Sequence, residues 1–299
     1  MPVRLNDKRR QRLNLYIFLS PWLLGFLIFT LYPIVSSLIY SLTDYNITNP
    51  PRFIGLKNYV DLAHDELFYQ SIKVTLYYTF LSVPLQLVVS LGLALLLNQK
   101  IPGMGIFRTA LYLPSMVSGV VMSLLWLWIF NSEFGLLNYL LSLVGIKGPL
   151  WLLDENWVIP ALILMSLWLM GSGMVVFLAA LQGVPSSLNE AAVLDGAGKW
   201  QRFKNVTLPM ISPIILFQFI IGIIDSFQTF TQAMVMTRNG GPHYATYFYV
   251  FNLYINAFRN YKIGYASALA WILLAAVMLL TYLIIKSSDR FVHYEGGRD

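Results

Sequence analysis

Apolar residues along the chain gather into six long runs, at roughly 13–43, 72–97, 109–131, 157–181, 209–236 and 264–286. A helix needs about 20 mostly apolar residues to cross a bilayer, and every run meets that length. The pattern predicts an all-α, polytopic membrane protein with six transmembrane helices in one domain covering 1–299. No internal repeat or low-complexity segment divides it.

The longest polar interruption in the second half is VPSSLNEAAVLDGAGKWQRFKNVTLP, residues 184–209. It reads as two short helices joined by a glycine turn. Ser187 is placed to cap the first, and Glu190, three residues on, completes a capping-box pattern. Ala191, Ala192, Val193 and Leu194 favour helix. Gly196 and Gly198 flank Ala197 and supply the backbone freedom that ends one helix and re-aims the next. From Lys199 to Val206, aromatic Trp200 and Phe203 alternate with Lys199, Arg202 and Lys204, which suits a surface helix at a headgroup boundary. Pro209 fits the first turn of the following span.

Composition agrees with a lipid environment. The chain is 57% hydrophobic and 11% charged, against about a quarter charged in soluble domains. It has no cysteine, which excludes disulfides and thiol chemistry. The net charge of +6 does not point to nucleic acid, because the basic residues are scattered between apolar runs. With both termini inside, 13 of the 20 Lys and Arg residues fall on the inner side and seven on the outer. The positive-inside rule therefore favours cytoplasmic termini and a cytoplasmic 184–208 loop. The first run follows Lys8, Arg9, Arg10 and Arg12. Its apolar stretch is about twice a signal peptide's length and lacks a small-residue cleavage site, so it is expected to stay as an anchor.

Taken in order, Pro21 and Pro33 are expected to kink or break the first span. Residues 44–70, with Pro50 and Pro51, read as an ordered turn plus a short helix, a solvated connector or a docking surface. Gln86 in the second run, and Pro114 with small residues in the third, fit helix packing. Residues 134–157 are too short to span twice and predict a re-entrant or surface helix. Run four ends in Met170-Gly171-Ser172-Gly173-Met174. Trp168 and Ser172 are four apart on one face, where a ring could stack on a sugar and a hydroxyl could meet one; packing is the competing reading for Trp168. Run five carries Asp225, Ser226, Gln228, Thr229 and Gln232, which three-and-four spacing puts on one broad surface. A buried charge such as Asp225 is costly in lipid and should face protein or water. The surface suits a hydroxyl-rich ligand, or interhelical hydrogen bonds. Residues 237–242 predict a glycine turn, and the tyrosines of 244–258 an interfacial aromatic belt. Lys286 and Arg290 anchor the end of run six.

Glu190-Ala191-Ala192, Asp195-Gly196-Ala197 and Leu208-Pro209 resemble the EAA loop of binding-protein-dependent ABC importer permeases. Asn239-Gly240-Gly241-Pro242 and Gly264-Tyr265-Ala266-Ser267-Ala268 are similar to further signatures of carbohydrate-uptake permeases of the maltose-transporter type. So is Phe53-Ile54-Gly55-Leu56-Lys57-Asn58-Tyr59, and the resemblance extends from about residue 13 to about 287. It implies the type I importer fold and a subunit that is not itself an enzyme. It also implies a second permease, two ATP-binding subunits that hold ATP and magnesium, an extracytoplasmic binding protein, and a place in a bacterial or archaeal cell membrane. On that resemblance the 190–197 helix would enter a cleft on an ATPase subunit, with Glu190 in a charged contact and Gly196 as the turn; a role for Glu190 in the capping box competes.

Several chemistries are set aside. The sequence has no G-x-x-x-x-G-K-[ST], so no P-loop, and His64, His243 and His293 show no metal-ligand spacing. Asp225 alone makes no proton relay. A secondary transporter or channel working without an ATPase predicts an inverted repeat or several buried ionisable groups, and a membrane enzyme predicts an active-site cluster; neither pattern is visible.

Overall fold

The structure, a computed structural model, describes residues 5–99 and 101–288. Arg4, Lys100, Arg290, His293 and Arg298 lie outside the described residues.

The first span is α1 (Asn14–Ser41). Pro33 has no amide hydrogen to give the preceding turn. The helix accommodates it with a wide π turn at Leu27–Leu31, where the Tyr32 amide donates to the Leu27 carbonyl. Of the expected kink or break, the helix shows no break and continues through this local widening. An antiparallel hairpin follows, β1 (Thr43–Asn46) with β2 (Asn49–Phe53), pairing Thr43 with Phe53 and Asp44 with Arg52. The expected ordered turn is thus the tip of a hairpin. Pro50 and Pro51 are tolerated because β2 has one neighbouring strand and its other edge needs no donors. The expected short helix is α2 (Lys57–Ala63).

The second span, α3 (Glu66–Leu97), begins ahead of residue 72 because the Asp65 carboxylate caps it, accepting from the Leu67 amide at 2.9 Å. At its far end the Arg108 guanidinium donates to the Leu97 carbonyl at 2.8 Å, satisfying an otherwise unpaired terminal carbonyl. Run three is not a straight helix. Its halves, α4 (Met104–Met116) and α5 (Gly119–Ile129), meet at 100°. Pro114 lies in a tight 3-10 turn at Leu113–Met116, Val117 is extended, and the Ser118 hydroxyl caps α5. Residues 134–157 contain α6 (Leu136–Leu143).

The fourth span, α7 (Glu155–Gly183), carries the glycine stretch in its middle and not at its end. There the helix tightens to a 3-10 turn at Trp168–Met170. After α8 (Ser186–Leu194) come α9 (Lys199–Met236), α10 (Tyr249–Tyr254) and α11 (Ile263–Ser288). Among the described residues, five helices are thus long and apolar enough to cross a membrane, and six if the bent pair counts as one span.

The chain forms two compact units. One holds the described residues up to His64 together with Leu253–Leu273. In it, the segment 53–59 and the segment 264–268 converge on the start of the hairpin. The Asn58 side-chain amide donates to the Ser41 and Thr43 carbonyls at 2.8 and 2.9 Å, and the Tyr59 hydroxyl to Ser41 Oγ at 2.9 Å. Gly264 packs against the Thr43 carbonyl so closely that a Cβ would overlap it. The Trp271 indole donates to Ser37 Oγ at 3.1 Å.

The other unit holds the described residues from Asp65 to Asn252 and from Leu274 onward. Ala94, Leu97, Met174, Phe177, Leu178, Leu181 and Ile211 form one of its cores, where α3, α7 and α9 meet. The aromatic stretch 244–258 is two-faced: Tyr247, Phe248, Tyr249 and Phe251 are buried, so a belt does not account for them, while Tyr244 and Phe258 are exposed. Phe248 meets Tyr78 edge-on, and the Tyr249 amide donates to Thr75 Oγ1 at 3.0 Å.

Two glycine substitutions should part ways. Gly264→Ala forces a methyl onto the Thr43 carbonyl, and about 1–3 kcal/mol of destabilisation is expected. Gly92, inside α3, has open space where a Cβ would stand, so Gly92→Ala should be neutral or stabilise by up to ~1 kcal/mol. Thermal unfolding in detergent should rank them Gly264→Ala, wild type, Gly92→Ala.

Candidate functional site

The polar hairpin between α7 and α9 is built by its termini. Contrary to the capping-box expectation, α8 starts after Pro185 with no side-chain cap, and Ser187 and Glu190 are exposed. Pro185 holds extended backbone just ahead of the helix, which starts the turn without a hydroxyl. The helix stops as expected. Gly196 is left-handed, at φ +78°. Its amide donates to the Val193 carbonyl at 3.0 Å, and the Ala197 amide to the Ala192 carbonyl at 2.9 Å, the paired bonds of a Schellman close. Ala191 and Asp195 lie on the last turns before it.

The second short surface helix is not separate; Lys199 opens α9 itself. Gln201 Oε1 accepts from the Gly198 amide at 2.8 Å, so the side-chain cap falls one helix later than the sequence pattern placed it. A π turn at Phe203–Thr207, closed by the Leu208 amide on the Phe203 carbonyl, carries the helix past Pro209. The Trp200 and Phe203 rings lie 5.4 Å apart. At the other end Leu181 is in the core and Val184 packs against it. The hairpin is therefore rooted in packed side chains, while Leu194, 89% exposed, and Trp200, 72% exposed, project from it. A cleft of about 750 Å³ beneath it is lined by Gln182, Asn189, Glu190 and Arg202 among others.

A second cavity, of about 260 Å³, opens where α3, α7 and α9 meet. Gln86 and Ser90 come from α3, Ser172 from α7, and Gln218 and Asp225 from α9. Of the residues expected along a substrate pathway, the structure brings Ser172 and Asp225 together and leaves the others out. The helical face drawn from Asp225 to Gln232 does not exist as one surface, because α-helix ends at Phe227 and resumes at Thr231. Ser226 turns into the protein and donates to Thr79 Oγ1 at 2.9 Å. Thr229 is buried, with Ser82 and Ser166 around the Tyr78 hydroxyl. Gln228 and Gln232 do not line the cavity. Trp168 lies edge-on to Trp126 at 5.2 Å, so for it the packing reading holds; the 3-10 turn separates its direction from that of Ser172.

Gln86, Ser90 and Gln218 were missed as lining residues. A signal existed for α9: Gln218, Gly222 and Asp225 follow four-and-three spacing, upstream of the break. The hydroxyl stripe Thr75, Thr79 and Ser82 on α3 follows the same rule.

A third cavity, of about 580 Å³, lies beside Phe130, Asn131, Trp151 and Arg238. Its rim is the glycine turn, in which Thr237 and Thr246 share a hydroxyl hydrogen bond of 2.6 Å and the Thr246 amide donates to the Gly240 carbonyl at 2.8 Å. Tyr247 beside it has its pKa pushed up to about 12, first by burial and then by the negative charge of Asp65 and by Tyr244. Its hydroxyl thus keeps its proton and donates to Asn252 Oδ1 at 3.2 Å. His243 Nδ1 stands 3.2 Å from Glu155, and His64 Nδ1 is 2.8 Å from the Val60 carbonyl. No group of three His, Cys, Asp or Glu able to hold a metal occurs among the described residues.

Long apolar helices, three of them lining a polar cavity, with a polar helix hairpin between two of them, fit a membrane transport subunit. Residues 68–293 match the family model described as "Binding-protein-dependent transport system inner membrane component". The chain belongs to this family. It is 42% identical over 295 residues to "Probable ABC transporter permease protein YesP" of Bacillus subtilis, covering 97% of this chain and 95% of the relative. It is 34% identical over 266 residues to "Probable starch degradation products transport system permease protein AmyD" of Thermoanaerobacterium thermosulfurigenes, covering 88% and 90%. Among solved structures, a chain of a bacterial ABC transporter involved in import of the acidic polysaccharide alginate superposes with a TM-score of 0.85. Identity there is 25%, with 97% of this chain and 100% of that chain covered.

The buried Ser226–Thr79 pair joins α9 to α3 beside the break. Removing one hydroxyl, as in Thr79→Val or Ser226→Ala, should cost about 1 kcal/mol, and the double variant little more. A double-mutant cycle from unfolding in mixed micelles checks the coupling.

Proposed function

We propose that this chain is a membrane-spanning permease subunit of an ATP-driven importer. It would move a sugar, a di- or oligosaccharide, that an extracytoplasmic binding protein delivers. The family and the starch-product relative support sugar as cargo. The chain supplies no nucleotide-binding loop, so ATP and magnesium belong to two partner ATPase subunits, and a second permease completes the pathway.

The observation that carries the reading is the hairpin of α8. It ends in a Schellman close at Gly196, is rooted in the α7 core and runs directly into α9. A push on α8 therefore reaches two spans without passing through a flexible linker. We place this hairpin and both termini in the cytoplasm, as the Lys and Arg distribution favours. There Glu190, Ala191, Ala192, Asp195, Gly196 and Ala197 would meet the ATPase, with Glu190 exposed and available for a charged contact.

Two arms test this. The complete complex, reconstituted in liposomes with its binding protein, should take up labelled oligosaccharide only with ATP; uptake by this chain alone would favour a channel or secondary transporter. In the second arm, Gly196→Val should lower uptake at least tenfold while ATP hydrolysis continues. A left-handed position costs an L-residue about 1–2 kcal/mol, and a β-branched one is a genuine outlier there. Around Gly196 nothing lies within 4 Å of a Cβ, so the effect would be conformational, and Gly196→Ala should be the milder variant. Normal uptake by Gly196→Val would sink the coupling role.

A further inference from the structure

The cavity at the meeting of α3, α7 and α9 carries a charge asymmetry. Its lining includes one acid, Asp225, and no Lys, Arg or His. Among the described residues, the Asp225 carboxylate has no ion pair and no side-chain hydrogen bond, and the amides of Gln86 and Gln218 have no partner within the chain. The two hydroxyls are already committed as donors: Ser90 Oγ to the Met170 carbonyl at 3.2 Å and Ser172 Oγ to the Leu169 carbonyl at 3.4 Å. Their oxygens are left to accept. A solute entering here therefore meets mainly acceptors plus two free amides, under an uncompensated negative charge.

That inventory selects a chemistry. An ionised carboxylate accepts through both oxygens, so it can take two hydroxyls from neighbouring carbons of a sugar ring, while the glutamines bridge adjacent hydroxyls. A carboxylate or phosphate on the solute finds no cation on this chain's side of the pathway and is repelled by Asp225, and beside low-dielectric protein that repulsion is larger than in water. We infer that this cavity receives an uncharged, hydroxyl-bearing ring of the solute and that Asp225 is the specificity-determining residue that turns an anionic ring away. The inference rests on the sugar-import reading above. An acidic group elsewhere on a longer sugar is unaffected, since this cavity holds about one ring.

The test exploits the absence of cysteine from the chain. Ser172→Cys places a single thiol on the cavity wall of the complete complex, assembled in lipid nanodiscs with cysteine-free partners. Its modification rates with the cationic reagent trimethylammonioethyl methanethiosulfonate and the anionic sulfonatoethyl reagent are each divided by the rate on a free thiol in solution. With Asp225 present, the cation should be favoured by about tenfold or more; with Asp225→Asn the ratio should fall to within about threefold of one. Ser90→Cys gives a second lining thiol, on α3, should the first variant misfold. A ratio near one in the presence of Asp225, an unchanged ratio in Asp225→Asn, or a thiol that no reagent reaches would each overturn the inference. Loss of ATP-driven oligosaccharide uptake by the unmodified complex would instead count against the import reading and leave the charge ratio standing.

Discussion

Inside a bilayer there is no water to take over a hydrogen bond that the protein drops, and that single constraint governs where this chain can bend. Each span can leave the regular helix only where another group replaces the lost bond. The two π turns do it by reaching one residue further, from Tyr32 to Leu27 and from Leu208 to Phe203. The end of helix at Phe227 comes beside Ser226, whose hydroxyl bonds both Thr79 and the Ile223 carbonyl. Thr75, on the same stripe of α3, takes the Tyr249 amide at 3.0 Å. Small hydroxyl residues thus mark the places where the fold departs from straight rods.

The same rule separates hydroxyls that hold the protein together from groups that are free to meet a solute. Ser226 and Thr229 are spent on structure. Asp225, one residue before the first of them, is not, and it faces a cavity with Gln86 and Gln218. In the aromatic series Trp126 and Trp168 pack on each other, and Trp151 is tethered through its indole to Asn138 at 2.7 Å. Polarity in the primary sequence is therefore a poor guide to accessibility; what matters is whether a neighbour has already satisfied the group.

This explains how much could be read in advance. Run lengths matched five long apolar helices and, in the third run, a pair bent by 100°, and the Gly196 turn was legible because only a left-handed residue makes that helix end. The hairpin's start was misplaced because Ser187 and Glu190 match a pattern that Pro185 makes unnecessary. Asp225 and Ser172 do line one cavity. Gln228, Thr229 and Gln232 were grouped with them only by extending helical periodicity through residues 228–230, where no helix exists. Nothing local announces that break: it depends on Thr79 and Tyr78, some 150 positions earlier in the chain. The 100° bend between α4 and α5 has a local cause in Pro114 and Ser118, but its size depends on packing.

The π turn ahead of Pro209 also fixes an angle. A regular helix turns about 100° per residue, so the one extra residue held in Phe203–Thr207 rotates everything before it by roughly that amount about the axis of α9. Lys199, Trp200 and the linker from α8 therefore point in a direction that a helical wheel drawn from the membrane segment would misassign. The azimuth at which the hairpin leaves the span is set by a single residue's worth of helical phase. An evolutionary insertion or deletion there would re-aim the start of α9 sideways while leaving the register of its residues after Pro209 unchanged.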